Sequence, residues 1–325
     1  MTETAAPISS PSAANARQSP VTHMCFGARG PTTQLARIEA GLIAAGSQET
    51  NSGHPSFVYA NDESHWQAAI DYHDLICPEA KLILNVLDLP EHNAGFDSSS
   101  LLPRLARAHA VTSISYYVQS QVQRILNLYS HVIYNPVMPV NPNKRLMGER
   151  PYPQFRAMMV GRVRDPGKRG VLAVQAMILA GMEESEVAVV GSEPIGWGTY
   201  LGIVSESVLN DLYNSVDFVM VTSGFEGLGL PIVESMIAGA IPIVCHDLTT
   251  FPELCPPRWG CYPNPQSVAH RLRRLIDEPA LLAEDREYAL KRGEGFREQL
   301  SGRAVAGRIL EAHQWSKHEP TSVTL

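Results

Sequence analysis

The 325-residue chain contains no apolar run near the roughly 18 residues that a membrane-spanning helix needs, so no transmembrane segment is expected. Its five cysteines, Cys25, Cys77, Cys245, Cys255 and Cys261, are odd in number and form no Cys-x-x-Cys pair, which argues against a disulfide framework and a zinc site. His246 beside Cys245 reads as a strand end next to a loop rather than as a ligand pair. Basic residues are the minority, 26 Lys and Arg against 33 Asp and Glu, and the net charge of −7 argues against a general nucleic-acid binder. No Gly-x-Gly-x-x-Gly turn follows the first strand, which counts against an NAD-type dehydrogenase. No internal repeat of 20–50 residues is visible. What is present is a composition of 44% hydrophobic and 18% charged residues, that of a globular protein. Residues 1–20, rich in Ala, Ser, Thr and Pro, read as a disordered leader rather than a secretion signal. A reduced, cytoplasmic protein is expected.

The length suffices for two domains, each with its own core. Strands alternate with helices throughout, the pattern of parallel-sheet α/β domains. In the first half, strands are expected at 21–26, 57–59, 75–77, 81–87, 110–113 and 131–134, with helices at 33–45, 101–108 and 116–128. A polar, proline-rich stretch from Asn135 through Pro136, Pro139, Pro142, Pro151 and Pro153 lacks apolar periodicity and reads as the linker. The second half offers strands at 155–160 and 186–190 and helices at 171–180 and 206–214. The chain from Ser267 to about Trp315 is helical and dense in arginine: Arg271, Arg273, Arg274, Arg286, Arg292, Arg297, Arg303 and Arg308 read as a solvated helix face. The division is therefore a leader (1–20), a first Rossmann-like domain (21–145), a second (155–280), and C-terminal helices (281–325) free to pack back toward the first.

The stretch that carries chemistry is Glu226-Gly-Leu-Gly-Leu-Pro231-Ile-Val-Glu234. It follows the apolar run Asp217-Phe-Val-Met-Val-Thr222 and precedes Ser235-Met-Ile-Ala-Gly239, giving strand, glycine loop, helix, strand. Pro231 suits a first helical turn, where its missing N–H is no loss. The N–H groups near Gly229 and Leu230 would then point from a helix N-terminus, where an anion is welcome. Glu226 falls in the loop and Glu234 about one turn into the helix, so both can face one cleft. Two carboxylates without an evident counter-ion call for hydroxyl donors between them, such as a ribose and a hexose joined by a pyrophosphate. A lone Gly-x-Gly loop before a helix is usually a turn and nothing more; the assembled string is more specific than its parts. A second element, Met158-Met-Val-Gly161-Arg162-Val-Arg-Asp-Pro-Gly-Lys168, places Arg162 just after a strand and Lys168 before a helix. There a guanidinium fork and a point charge could meet a pyrophosphate at the crevice beyond the strand ends.

These elements resemble the retaining glycosyltransferases of family 4, which have the GT-B fold: two Rossmann-like domains facing across a cleft, which by resemblance makes 21–145 the acceptor domain and 155–280 the nucleotide-sugar donor domain. The resemblance is strong over about residues 155–265 and weaker over 70–140. In that family a Glu-x7-Glu motif gives one glutamate to the donor sugar and one to the nucleotide ribose, while the loop amides hold sugar and phosphate. A Gly-Arg followed six residues on by Lys holds the diphosphate. By resemblance the catalytic roles fall on Arg162, Lys168 and Glu226. Donor-binding roles fall on Gly161, Gly227, Leu228, Gly229, Leu230 and Glu234, and on Ile203 and Val204, whose segment Leu201-Gly202-Ile-Val204-Ser205 resembles the one that frames the nucleobase. Arg164 has no assigned role. Gly27 and Gly30 of the first-domain turn correspond to the loop under the donor phosphate. No Asp-x-Asp triplet, the diphosphate metal site of the GT-A class, occurs, so metal-independent transfer without a cofactor is expected.

The chain departs from the family at Val86-Leu87-Asp88-Leu89, where leucine stands in the usual histidine place. His92, Asp88 and Glu91 are the polar groups at that strand end, His92 and Asp88 being counted with the catalytic set. The resemblance implies a nucleotide-sugar donor and an acceptor the residues do not name. The alternative, motivated by Leu87, is a catalytically silent partner protein that binds nucleotide sugars. The oligomeric state is not legible.

Overall fold

A computed structural model of the chain describes residues 21–28, 34–50, 54–87 and 98–312. The expected leader, Gly30, Asp88, Glu91 and His92 lie outside these residues.

The first domain runs β1 (Thr22–Phe26), α1 (Gln34–Ala44), β2 (Gln48–Glu49), β3 (Phe57–Ala60), α2 (Trp66–Ile76), β4 (Lys81–Val86), α3 (Leu102–Leu105), β5 (Ala110–Ser113), α4 (Tyr116–Leu126) and β6 (His131–Val132). Its parallel sheet has the order β2-β1-β3-β4-β5-β6. A short helix, α5 (Asn143–Leu146), leads to β7 (Ala157–Val160), α6 (Gly170–Leu179), β8 (Val187–Val190), β9 (Thr199–Gly202), α7 (Glu206–Ser215), β10 (Phe218–Val221), α8 (Leu230–Ile237), β11 (Ile241–Cys245), α9 (Phe251–Leu254) and β12 (Gly260–Cys261). These form a second parallel sheet, β12-β11-β10-β7-β8-β9. Helices α10 (Pro265–Asp277), α11 (Pro279–Gln299) and α12 (Gly302–Ala312) follow.

Helices on both faces explain why the inner strands read as unbroken apolar runs: every residue of β3, β8, β10 and β11 is buried. In the second sheet the chain builds outward from β7 through β8 to β9. It then returns to the other side of β7 for β10, β11 and β12. The order reverses between β7 and β10, and a crevice opens beyond their carboxyl ends at such a point.

Several sequence expectations are corrected. Residues 75–77 are not a strand but the end of α2 and its cap. Three apolar residues carry too little periodicity to tell the two apart. The deciding stripe lies upstream, where Trp66, Ala69, Ile70 and His73 are buried at helical spacing while Leu75 and Ile76 are exposed. The proline-rich stretch read as the linker is packed against the rest of the chain despite its lack of apolar periodicity. Val137, Met138 and Val140 are buried, Val137 N–H donates to the Leu300 carbonyl at 3.1 Å, and Asn141 N–H to Asn210 Oδ1 at 2.8 Å. The arginines do not form one solvated face either. Arg271 is buried against Asp285, and Arg286 reaches Asp217 at 2.7 Å, because acids from distant segments meet them in space. The C-terminal helices were expected to be free to pack back toward the first domain, and α12 lies on α1. Val305, Ala306, Ile309 and Ala312 share a cluster with Leu35, Ile38 and Leu42, and Gly41 permits the approach, since a Cβ there would fall 2.1 Å from the Gly302 carbonyl oxygen.

Candidate active site

Gly161, Arg162, Lys168 and Glu226 line one hollow of about 210 Å³ at the carboxyl ends of β7 and β10, with Thr222, Ser223 and Pro231 completing its wall. Each arrives by a local device. Gly161, at φ +103°, turns the chain off β7, and its N–H is held by the Val190 carbonyl at 2.9 Å. Arg162 follows with its side chain 76% exposed, 3.4 Å from Asp165. Asp165 caps the single turn at Pro166–Lys168 by accepting from Gly167 N–H at 2.9 Å. Lys168 ends that turn and projects inward, and Arg164 is exposed.

Glu226 is not a carboxylate without a counter-ion. Lys168 Nζ donates to both of its oxygens, at 2.6 and 2.7 Å, and Ser223 Oγ donates to Oε1 at 2.7 Å. The Thr249 hydroxyl clasps its backbone, accepting from Glu226 N–H at 3.1 Å and donating to the carbonyl at 2.9 Å. The pair is partly wet, with Lys168 29% and Glu226 12% exposed at the side chain. Thr249 was not legible in the sequence: it lies 23 positions from Glu226 in an ordinary loop after β11, and no motif marks it. Ser223 lay within the motif region but gave no sign that it meets Glu226.

The other residues expected to bind the donor are not among those lining the hollow. Pro231 occupies the first turn of α8, and Gly229 at φ +86° precedes it. Leu230 is half-buried, and Leu228 is buried in the main core. Gly227 meets the first domain: a Cβ there would lie 2.4 Å from the Leu87 carbonyl oxygen, so only glycine allows the two domains to touch at this point. Ile203 is 84% exposed on the loop after β9, and Val204 packs on the core. Gly27 lies at the end of β1 against Asn61 and Leu35, away from the hollow.

Glu234 does not line this hollow. It is 7% exposed, accepts from the Tyr213 hydroxyl at 2.9 Å and faces Met138 N–H at 3.4 Å. Burial pushes its pKa up to about 7, against the opposing pull of these two donors. The eight-residue spacing brings both glutamates near one helix start, but the turn of α8 directs the second toward Tyr213 and the inter-domain segment. Close by, Arg37 of α1 pairs with Glu206 of α7 across the domain boundary. The Tyr134 hydroxyl and Tyr116 N–H, both of the first domain, donate to Glu253 of α9 at 2.6 and 3.2 Å.

Two α/β domains, each built on a six-stranded parallel sheet, have the architecture of the GT-B fold. Solved structures share it. Anabaena HepE, solved with UDP and glucose, superposes with a TM-score of 0.69 at 14% identity, covering 90% of this chain and 99% of that one. Sucrose-phosphate synthase from Thermosynechococcus elongatus gives 0.67 at 16% identity, covering 91% and 95%. In sequence, the chain is similar to O-antigen chain mannosyltransferase B of Escherichia coli, 33% identical over 123 residues. That stretch is 37% of this chain and 30% of the relative, so the chain matches under a third of the relative's length. No family model matches. Among the described residues no helix is long and apolar enough to cross a membrane.

Proposed function

We propose that the chain is a retaining glycosyltransferase that moves a sugar from a nucleotide-diphosphate sugar to an acceptor without a metal ion. The observation that carries this reading is the meeting of Gly161, Arg162, Lys168 and Glu226 in one hollow at the switch point of the second sheet. The named neighbours lend support, HepE having been solved with UDP and glucose and the curated relative being a mannosyltransferase.

The chemistry follows from the groups present. As the sugar leaves, charge builds on the diphosphate, and Arg162 and Lys168 are the cations placed to meet it. Such preorganised groups commonly supply about 3–4 kcal/mol each. Lys168 then exchanges one oxygen of Glu226 for phosphate, which frees the carboxylate to accept donor-sugar hydroxyls. Amides at the start of α8 face the same charge. Retention and uptake of the acceptor proton by the leaving phosphate are expected from the family resemblance. So is a ribose contact by Glu234, which would trade its 3.4 Å contact with Met138 for it. Asp88 and His92 remain proposed with the catalytic set and Gly30 under the donor phosphate, whereas Gly27 packs against Asn61 and Leu35. Cys25, Cys77, Cys245, Cys255 and Cys261 are buried and none is in a disulfide; a reducing, cytoplasmic setting is part of the proposal. Nothing in the comparisons favours a silent binding partner, since the named neighbours include a synthase and a transferase.

The test is a melting screen with nucleoside diphosphates and their sugars, followed by transfer assays in which NMR reads the product anomer with and without EDTA. A matching donor at about 100 times its Kd should add roughly 2.7 kcal/mol of stability. An inverted anomer would remove retention. EDTA-sensitive transfer would remove metal independence. No shift with any donor, and unchanged transfer in Lys168→Ala and Glu226→Gln, would remove the whole reading.

A further inference from the structure

One residue beyond Lys168, the chain makes an unusual turn. Arg169 adopts the left-handed conformation, φ 52° and ψ 40°, one of two non-glycine residues with positive φ among those described. For a side chain other than Gly, Asn or Asp this is strained. The turn starts α6, and Arg169 is not among the residues that line the hollow. Its guanidinium meets Asp247 two-pronged, Nη1 to Oδ1 at 3.0 Å and Nη2 to Oδ2 at 2.7 Å. It passes directly over Gly224, where a Cβ would lie 2.4 Å from Nη2. Around this corner the backbone is tied at three more points. The Thr222 hydroxyl lies 3.1 Å from both the Lys168 and the Arg169 carbonyl oxygens, and Gly224 N–H donates to the Gly167 carbonyl at 3.1 Å. Asp247 sits two residues before Thr249, which clasps Glu226 from the other side.

We propose that Arg169 and Asp247 are positioning residues: their ion pair locks the cation loop at 165–169 to the loop after β11, and so fixes Lys168 against Glu226 in the geometry the donor needs. This deepens the nucleotide-sugar reading and rests on it. The loop after β11 then holds both partners of the pair at once, Lys168 through Arg169 and Glu226 through Thr249. Displacement of a reacting group by about 1 Å can cost up to about a hundredfold, so a lock that contacts no ligand can still govern transfer. A pair merely decorating the surface would leave ligand binding alone, since exposed ion pairs contribute little.

The test uses the full chain with UDP-glucose and GDP-mannose as probes, read by calorimetry, and amide hydrogen exchange without ligand. Arg169→Ala and Asp247→Ala should each speed exchange at Gly224 and Glu226, and each should weaken the bound probe roughly tenfold, while the double variant goes no further than either single. Arg169→Lys should recover part of the affinity, and the swap Arg169→Asp with Asp247→Arg more than either half alone. Arg169→Gly separates strain from clamping: it relaxes the turn yet removes the pair, and should bind as poorly as Arg169→Ala. Unchanged exchange at Gly224 and Glu226 in Arg169→Ala, additive singles, or wild-type affinity in Arg169→Gly would each overturn the inference. If the wild type binds neither probe, the donor reading fails for those nucleotides, and the exchange measurements still decide the clamp.

Discussion

Strand β10 carries a charge cluster at each end, and the two differ in what surrounds them. At its amino end Asp217 is buried among four arginines: Arg286 at 2.7 Å, Arg150 at 3.5 Å, and Arg145 and Arg156 at 3.9 Å. They come from α5, α11 and the segment entering β7, so this end is closed by helices. Burial and the neighbouring Arg286 push the Arg145 pKa down to about 10. At the carboxyl end Glu226 has one cation, Lys168, and opens on a hollow. The same pairing of acid and base thus seals one end and equips the other. In parallel sheets only the carboxyl end meets helix N-termini and glycine corners, which suit an anionic ligand.

The sharpest way to break the comparison is to remove each acid's partnership in turn. Asp217→Ala should cost about 3–5 kcal/mol of stability, because it strands buried cations. Urea melts would show it, while transfer by the folded fraction persists. Lys168→Ala should do the reverse: kcat falls roughly 10²–10³-fold and the melting midpoint moves little. If Lys168→Ala instead unfolds the protein as Asp217→Ala does, the two ends are alike and the distinction is lost.

Glu234 sharpens the contrast, being an acid of the core rather than of either cluster. Its folded pKa of about 7 lies above the usual 4.5, so the folded state keeps a proton that the unfolded chain releases. Its contribution is therefore least costly below pH 4.5, and stability declines as pH rises from about 4.5 to 7. The full effect is on the order of 3 kcal/mol at 1.36 kcal/mol per unit. His131 works the other way, since burial pushes its pKa down to about 4, so stability from it grows between about pH 4 and 6.5. Glu234→Gln isolates the first effect: the difference in unfolding free energy between variant and wild type should turn in the variant's favour from pH 5 to pH 8. A flat difference would show that Glu234 is ionised at little cost. The smallest effect is expected at the domain boundary. Tyr134→Phe removes the 2.6 Å bond to Glu253 and should cost roughly 1 kcal/mol in melts.

Much of the frame was legible in the amino-acid order. Alternating apolar runs and helical stretches gave two parallel-sheet halves, and the glycines and prolines around Gly161 and Pro231 marked the corners where a strand hands over to a helix. The candidate cations and Glu226 were legible as well, because their types and spacing are local. What failed was everything that depends on distant partners. Residues 75–77 looked like a strand because a short apolar run has no period of its own. The burial of the proline-rich stretch was not legible, because the surfaces that cover Val137 and Met138 lie elsewhere in the chain. Arg271 and Arg286 looked like a wet face because Asp285 and Asp217 are brought to them only by folding.

The sequence by itself determined the class of fold and the chemical kinds of group at the crevice, since propensity, periodicity and turn chemistry act over a few residues. Tertiary structure alone decided that Lys168 neutralises Glu226, that Glu234 turns inward to Tyr213, and that Arg169 is drawn to Asp247. Those choices join residues 21 to 78 positions apart. They are set by which strands lie side by side, and no local pattern along the chain encodes that.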